Sequence, residues 1–225
     1  SYESPYKTFG QYDMNMDTAI ALNQHGGQSD GNYGIAGVWE SVIAYHAKIG
    51  GVEFAYMYGM NDDQTTPNTT VTKGDYSYGI KFTNMFVNGL EFGFAETHDN
   101  DTNGATAGAL GESNQKMFFS YKVMPGLGVF YSEEDVELAT GTFATNGDGE
   151  ILTIGAHYTM GNTVFQLSHT DGDTATVTED YDTVSLSAQT NLSKNTDITV
   201  GYTRKGYDSS GSAVRTSGLG ITHRF

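Results

Sequence analysis

The chain has no cysteine in 225 residues, which removes disulfides, thiolate metal sites and cysteine nucleophiles together. Proline is down to 3 and tryptophan to 1. Scarce proline suits long paired strands, because proline donates nothing to a ladder and is kept out of central strands. Positive charge is also short: 11 Lys and Arg stand against 27 Asp and Glu, for a net charge of -16. That balance argues against a nucleic-acid partner, which needs a basic face for phosphate. No apolar run approaches the ~18 residues of a membrane helix. The start, Ser1-Tyr2-Glu3-Ser4-Pro5, lacks the basic and apolar stretches of a signal peptide. Either one has been removed or the chain begins inside a longer protein, and the strand count below favours the second.

What is present is glycine, at 29 residues, and 15 Tyr with 12 Phe. So many aromatics at a mean hydropathy of -0.40 are odd for a soluble core. They suit strands whose alternate residues face lipid and water. From Ser41 onward, pairs of strands meet at short turns and are separated by long polar segments. The expected pairs are Val42 to Lys48 with Val52 to Tyr58, Tyr76 to Met85 with Leu90 to His98, and Lys116 to Met124 with Leu127 to Glu133. Two more follow: Leu152 to Met160 with Thr163 to His169, and Thr183 to Leu192 with Ile198 to Lys205. A single strand, Gly218 to Phe225, ends the chain, giving eleven in all. Gly50-Gly51, Asn88-Gly89, Pro125-Gly126 and Gly161-Asn162 mark the turns, since those residues accept the backbone angles of tight hairpins.

Alternation within the strands is sharp. Leu90, Phe92 and Phe94 share one face and Glu91, Gly93 and Ala95 the other; Val184, Leu186 and Ala188 oppose Ser185, Ser187 and Gln189. A β-sandwich also alternates. The strict succession of short turn and long loop, with strands of nearly equal length, favours an antiparallel transmembrane β-barrel. An open edge in hydrocarbon would leave backbone groups unpaired, and bacterial single-chain barrels have even strand numbers, so with eleven strands either further strands are missing or residues 1–40 add a twelfth to a smaller complete barrel.

The ending Gly218-Leu219-Gly220-Ile221-Thr222-His223-Arg224-Phe225 resembles the terminal strand of Gram-negative porins, with His223 where that pattern has an apolar residue. Ser4-Pro5-Tyr6-Lys7-Thr8, Gln11-Tyr12-Asp13 and Gly26-Gly27 resemble the segment that opens the inward loop of a gammaproteobacterial trimeric general porin. The resemblance implies a sixteen-stranded barrel of which this chain supplies the last eleven strands. It places Ser1 at the end of the fifth strand, with residues 1–40 as the pore-constriction loop and flanking strand ends and 41–225 as barrel hairpins. It further implies a homotrimer in outer-membrane lipid and lipopolysaccharide.

A pore needs a polar lumen, a constriction and fixed charges. Asp13, Asp17 and Asp30 are the expected constriction acids, with a short helix over Asp13 to Asn23; their alternative role is capping. By parity Lys48, Glu53, Lys81, Glu91, Lys116, Lys122, Lys205 and Arg224 face the lumen, with Lys205 the best candidate for a rim residue, and Phe118 and Phe130 are its main aromatics. His46, His157 and His169 sit in no catalytic constellation. No cofactor or resident metal is expected, although Asn146-Gly147-Asp148-Gly149-Glu150 and Asp171-Gly172-Asp173 hint at surface calcium. The expected function is a non-enzymatic outer-membrane diffusion channel for small hydrophilic solutes and ions, with a modest cation preference. The alternatives are a saccharide-selective channel and an adhesin or phage receptor acting through acidic loops.

Overall fold

In the computed structural model the described residues are 2–10, 38–39, 42–59, 76–99, 112–137, 148–174, 180–208, 211 and 213–224. Short strands β1 (Tyr2–Glu3) and β2 (Val38–Trp39) pair antiparallel, with the single helical turn α1 (Pro5–Thr8) between them in sequence. The main sheet follows: β3 (Val42–Ile49), β4 (Val52–Gly59), β5 (Tyr76–Thr83), β6 (Leu90–Asp99), β7 (Glu112–Met124) and β8 (Leu127–Glu137). It continues with β9 (Asp148–Met160), β10 (Thr163–Thr174), β11 (Tyr181–Ser193), β12 (Thr196–Tyr207) and β13 (Ala213–His223). These eleven strands form one antiparallel sheet in sequence order, the expected hairpin meander.

The tight turns follow from backbone chemistry. Gly50 and Gly161 sit at φ 59° in their two-residue connections, a conformation that costs any other residue a Cβ clash. Pro5 opens α1, where its missing N–H costs nothing and its fixed φ suits the first helical position. The Ser4 and Pro5 carbonyls accept the Thr8 and Phe9 amides at 3.0 and 2.9 Å.

Several expected boundaries move. β5 ends at Thr83 rather than Met85, because Asn84 takes φ 58° and its Oδ1 accepts the Gly89 amide at 2.6 Å. The last strand begins at Ala213 rather than Gly218, and its paired length ends at His223. Strand lengths in the main sheet run from 8 to 13 residues rather than being near-equal. Asp148-Gly149-Glu150 and Asp171-Gly172-Asp173 lie within paired strands, Asp173 opposite Glu150 and Gly172 opposite Ile151. They are ladder residues, not loops, because backbone pairing continues past the point where apolar alternation stops.

Candidate functional site

Burial in the main sheet is inverted relative to a soluble core. Residues opposite each other in an antiparallel ladder share a face, so the pairing register fixes both faces. One face carries Ser77, Thr97, Asn114, Ser132, Ser168, Thr170, Thr183, Ser185, Ser187, Thr199 and Thr203, all buried. The other carries Phe54, Met117, Phe119, Ile154, Leu167, Leu186, Leu219 and Ile221, all exposed, Leu219 and Ile221 at 69 and 68 %. Hydroxyls on the buried face bond across strands: Thr153 to Thr170 at 3.0 Å and Ser185 to Thr203 at 3.3 Å. Water rewards the first surface and penalises the second, so the apolar face belongs against hydrocarbon.

α1 lies on the polar face, which is therefore the inner one. It contacts β4, β5 and β6. The Tyr6 amide donates to Ser77 Oγ at 3.2 Å and the Tyr6 hydroxyl to Glu134 Oε2 at 2.6 Å. Phe9 meets Phe118 edge-on at 6.4 Å between ring centroids. Ala95 completes this cluster of buried residues, and Ala55 packs against it. Glycine at position 79 makes room: a Cβ there would stand 2.5 Å from the Phe9 ring. Lys116 Nζ lies 4.7 Å from the centre of the Tyr6 ring, and Lys81 Nζ 5.1 Å from that of Phe9. Burial, reinforced by the Glu134 carboxylate, raises the Tyr6 hydroxyl pKa well above its ordinary 10.

The register puts Lys48, Glu53, Lys81, Glu91, Lys116 and Lys122 on the inner face, as parity predicts. Lys48, Glu53 and Lys81 form one row across β3, β4 and β5. There Glu53 Oε2 lies 3.1 Å from Lys81 Nζ and 3.7 Å from Lys48 Nζ, while Glu53 Oε1 bonds His46 Nε2 at 2.9 Å. Lys81 also approaches Glu91 at 4.0 Å. Arg224 pairs with Asp197 at 3.1 Å near the short-turn end. Lys205 is no rim residue: it is buried, with Nζ 3.7 Å from the Tyr181 ring centroid. Asp13, Asp17, Asp30, the helix expected over 13–23 and Phe225 lie outside the described residues.

Sequence reasoning missed Glu134, Asp197, Tyr181 and Tyr207 on this wall. Each stands just beyond the limit to which the apolar alternation was followed; carrying parity outward by one or two residues finds them. Tyr6 and Phe9 carried no periodic signal, because a single helical turn shows none. Of the histidines, His46 is held by Glu53, His157 faces inward beside Gly128, and His169 points outward between Ile154 and Val184. Among the described residues no three His, Asp or Glu side chains gather to hold a metal ion. The inner aromatics Phe118 and Phe130 are buried, Phe118 against Phe9. Phe130 fills the space a side chain on Gly155 would need. They serve packing rather than an exposed saccharide ladder.

Solved structures share this architecture. An anion-selective porin from Comamonas acidovorans aligns at a TM-score of 0.59 and 17% identity, covering 82% of this chain and 59% of its own. The outer membrane channel DcaP of Acinetobacter baumannii aligns at 0.57 and 13% identity, covering 82% and 62%. A loop L8 deletion mutant of OmpT, an outer membrane protein of Vibrio cholerae, aligns at 0.64 and 15% identity, covering 99% and 73%. The chain thus spans about three fifths of the Comamonas and Acinetobacter proteins. No curated protein sequence matches it. A family model described as Gram-negative porin matches residues 2–210, and with an apolar outward face, a polar inward face and a segment docked within, the chain belongs to the Gram-negative porin family.

Proposed function

We propose that this chain forms the wall of a passive diffusion channel in the outer membrane, passing small hydrophilic solutes and ions without bond-making chemistry. The observation that carries the reading is the inverted burial: hydroxyls, amides and charges line the face on which α1 docks, and exposed aliphatics and aromatics cover the other. A water-filled lumen needs the first and hydrocarbon needs the second. Assembly as a homotrimer among outer-membrane lipid and lipopolysaccharide follows from the family resemblance and belongs to the same proposal.

The modest cation preference is assigned to Asp13, Asp17 and Asp30, in the segment that follows α1. The wall itself leans the other way. Among described side chains, Lys48, Lys81, Lys116, Lys122, Lys205 and Arg224 face Glu53, Glu91, Glu134 and Asp197 on the inner surface. The net charge of -16 therefore does not describe this part of the wall, and the proposal places the cation preference on the constriction acids. Planar-bilayer recording of the full-length protein tests the reading. Stable ohmic channels at neutral pH are expected, and their absence from correctly folded protein would overturn it.

A further inference from the structure

At the short-turn end of the sheet a pocket of about 420 Å³ opens where the β5–β6 and β7–β8 turns meet β9. Its polar side chains are Ser120 and Lys122 from β7 and His157 and Thr159 from β9, and no Asp or Glu lines it. The register puts all four on the inner face, with Lys122 opposite Gly128 and Gly128 opposite His157 in one row. Three glycines shape the space. A Cβ at Gly89 would meet Lys122 Cβ at 2.9 Å, and one at Gly126 would meet the Thr159 carbonyl oxygen at 2.8 Å. One at Gly128 would run into the His157 ring, so the imidazole leans across β8 towards Lys122 on β7 only because that position is bare. We propose that this pocket is a subsite for the phosphate group of small phosphate monoesters, at the short-turn mouth of the lumen. The proposal rests on the channel reading and names a solute class the channel retains.

Charge balance along this end of the wall decides the sign of the ligand. Glu53 lies 3.1 Å from Lys81 and 3.7 Å from Lys48, and Asp197 lies 3.1 Å from Arg224. Glu91, opposite Ser120, approaches Lys81 at 4.0 Å and accepts from the Thr83 hydroxyl at 3.5 Å. With the two glutamates set against Lys48 and Lys81, Lys122 is the charge left over. Among the described residues no acid forms an ion pair with Lys122 or His157. Lys122 is exposed, and not because it borders an open edge: β7, β8 and β9 are each hydrogen-bonded to a strand on both sides. The donors decide the kind of anion. Lys122 offers three, and the imidazole and the two hydroxyls one each, from two strands. A tetrahedral oxyanion turns oxygens towards both strands at once, whereas a carboxylate holds two in one plane and chloride gains only the charge. A phosphate ester also brings a charge of about −1.5 to −2 at pH 7 against a carboxylate's single one. The pocket is larger than a bare phosphate, which leaves room for a small hydrophilic remainder. One solvated lysine, rather than a cluster of bases, binds weakly enough to release the solute, as a conducting channel requires.

The test uses the full-length protein in planar bilayers with KCl at pH 7, adding glycerol phosphate, inorganic phosphate, acetate or glycerol. Both phosphates are expected to interrupt the current in a saturable way, with acetate and glycerol far weaker at the same concentration. Lys122→Gln should raise the half-blocking concentration of glycerol phosphate about tenfold, the scale of one charge-assisted hydrogen bond, and Lys122→Arg should recover most of it. Gly128→Ala displaces the imidazole without changing charge, and should raise it about fivefold, the scale of one neutral hydrogen bond. Unchanged KCl conductance in each variant shows that the barrel has folded. Block by acetate equal to that by phosphate, or phosphate block untouched by both Lys122→Gln and Gly128→Ala, overturns the proposal. If no KCl channel opens at all, the channel reading has failed; if channels open and neither phosphate interrupts them, only the subsite has.

Discussion

Phe9 is the main hydrophobic anchor of the docked segment, and removing its ring should release that segment measurably. The ring is 5 % exposed, sits in the space left by Gly79, and meets Phe118 edge-on. Covering such a side chain contributes about 1.5–3 kcal/mol and the aromatic pair about 0.5–1.5 kcal/mol more. The lysine above it adds roughly 0.5 kcal/mol. Phe9→Ala should therefore shift docking by about 3 kcal/mol, or roughly a hundredfold in the undocked population. The absence of native cysteine makes the assay clean. A single Ser4→Cys reporter, at a position only 2 % exposed, reacts with a water-soluble maleimide only when the segment lifts. Its labelling rate should rise on the order of fifty- to two-hundredfold when Phe9→Ala is added, since slow labelling reads the open population. A rise under threefold would refute the anchoring argument, because it would mean the buried ring contributes almost nothing to holding the turn.

Tyr6→Phe should weaken docking by about 1–3 kcal/mol, because it leaves the Glu134 carboxylate without its 2.6 Å donor; the same reporter measures it. The Tyr6 pKa is raised, so its contribution is full below pH 10 and lost only as pH climbs past the raised value. In alkaline difference spectra Tyr6→Phe should accordingly remove a late-titrating phenol. Replacing Asp13, Asp17 and Asp30 together by Asn should move the zero-current potential in a salt gradient towards anions; an unchanged potential would remove them from the constriction. Leu186→Arg on the outward face should cost about 2–4 kcal/mol of folding stability in lipid vesicles, while Ser187→Arg on the inner face costs far less. Equal costs would contradict the face assignment.

The strands were legible because lipid and water impose a two-residue period on the sequence. Runs such as Leu90, Phe92 and Phe94, or Val184 and Leu186, record it directly. The same rule puts Lys48, Glu53, Lys81, Glu91, Lys116 and Lys122 on one face, and they share a face in the pairing register. It failed where lipid stops acting. Tyr181, Asp171 and Ala213 pair through their backbones in strand extensions where alternation has faded, so the apolar pattern ended before the ladder did. Lys205 looked like a rim solvent residue because its two aromatic partners, Tyr181 and Tyr207, lie one on the neighbouring strand and one two residues on. The docking of Tyr6 on Glu134 joins residues 128 apart, and only the assembled sheet brings them together.

The central claim is that one face of this sheet lines a conducting lumen and the other faces lipid. Neighbouring single cysteines at Leu186 and Ser187, otherwise alike in depth along β11, test it most directly. During bilayer recording, a charged water-soluble thiosulfonate should modify Ser187→Cys and change the conductance stepwise, leaving Leu186→Cys silent. Modification of Leu186→Cys from water, or of Ser187→Cys without any change in current, would contradict it.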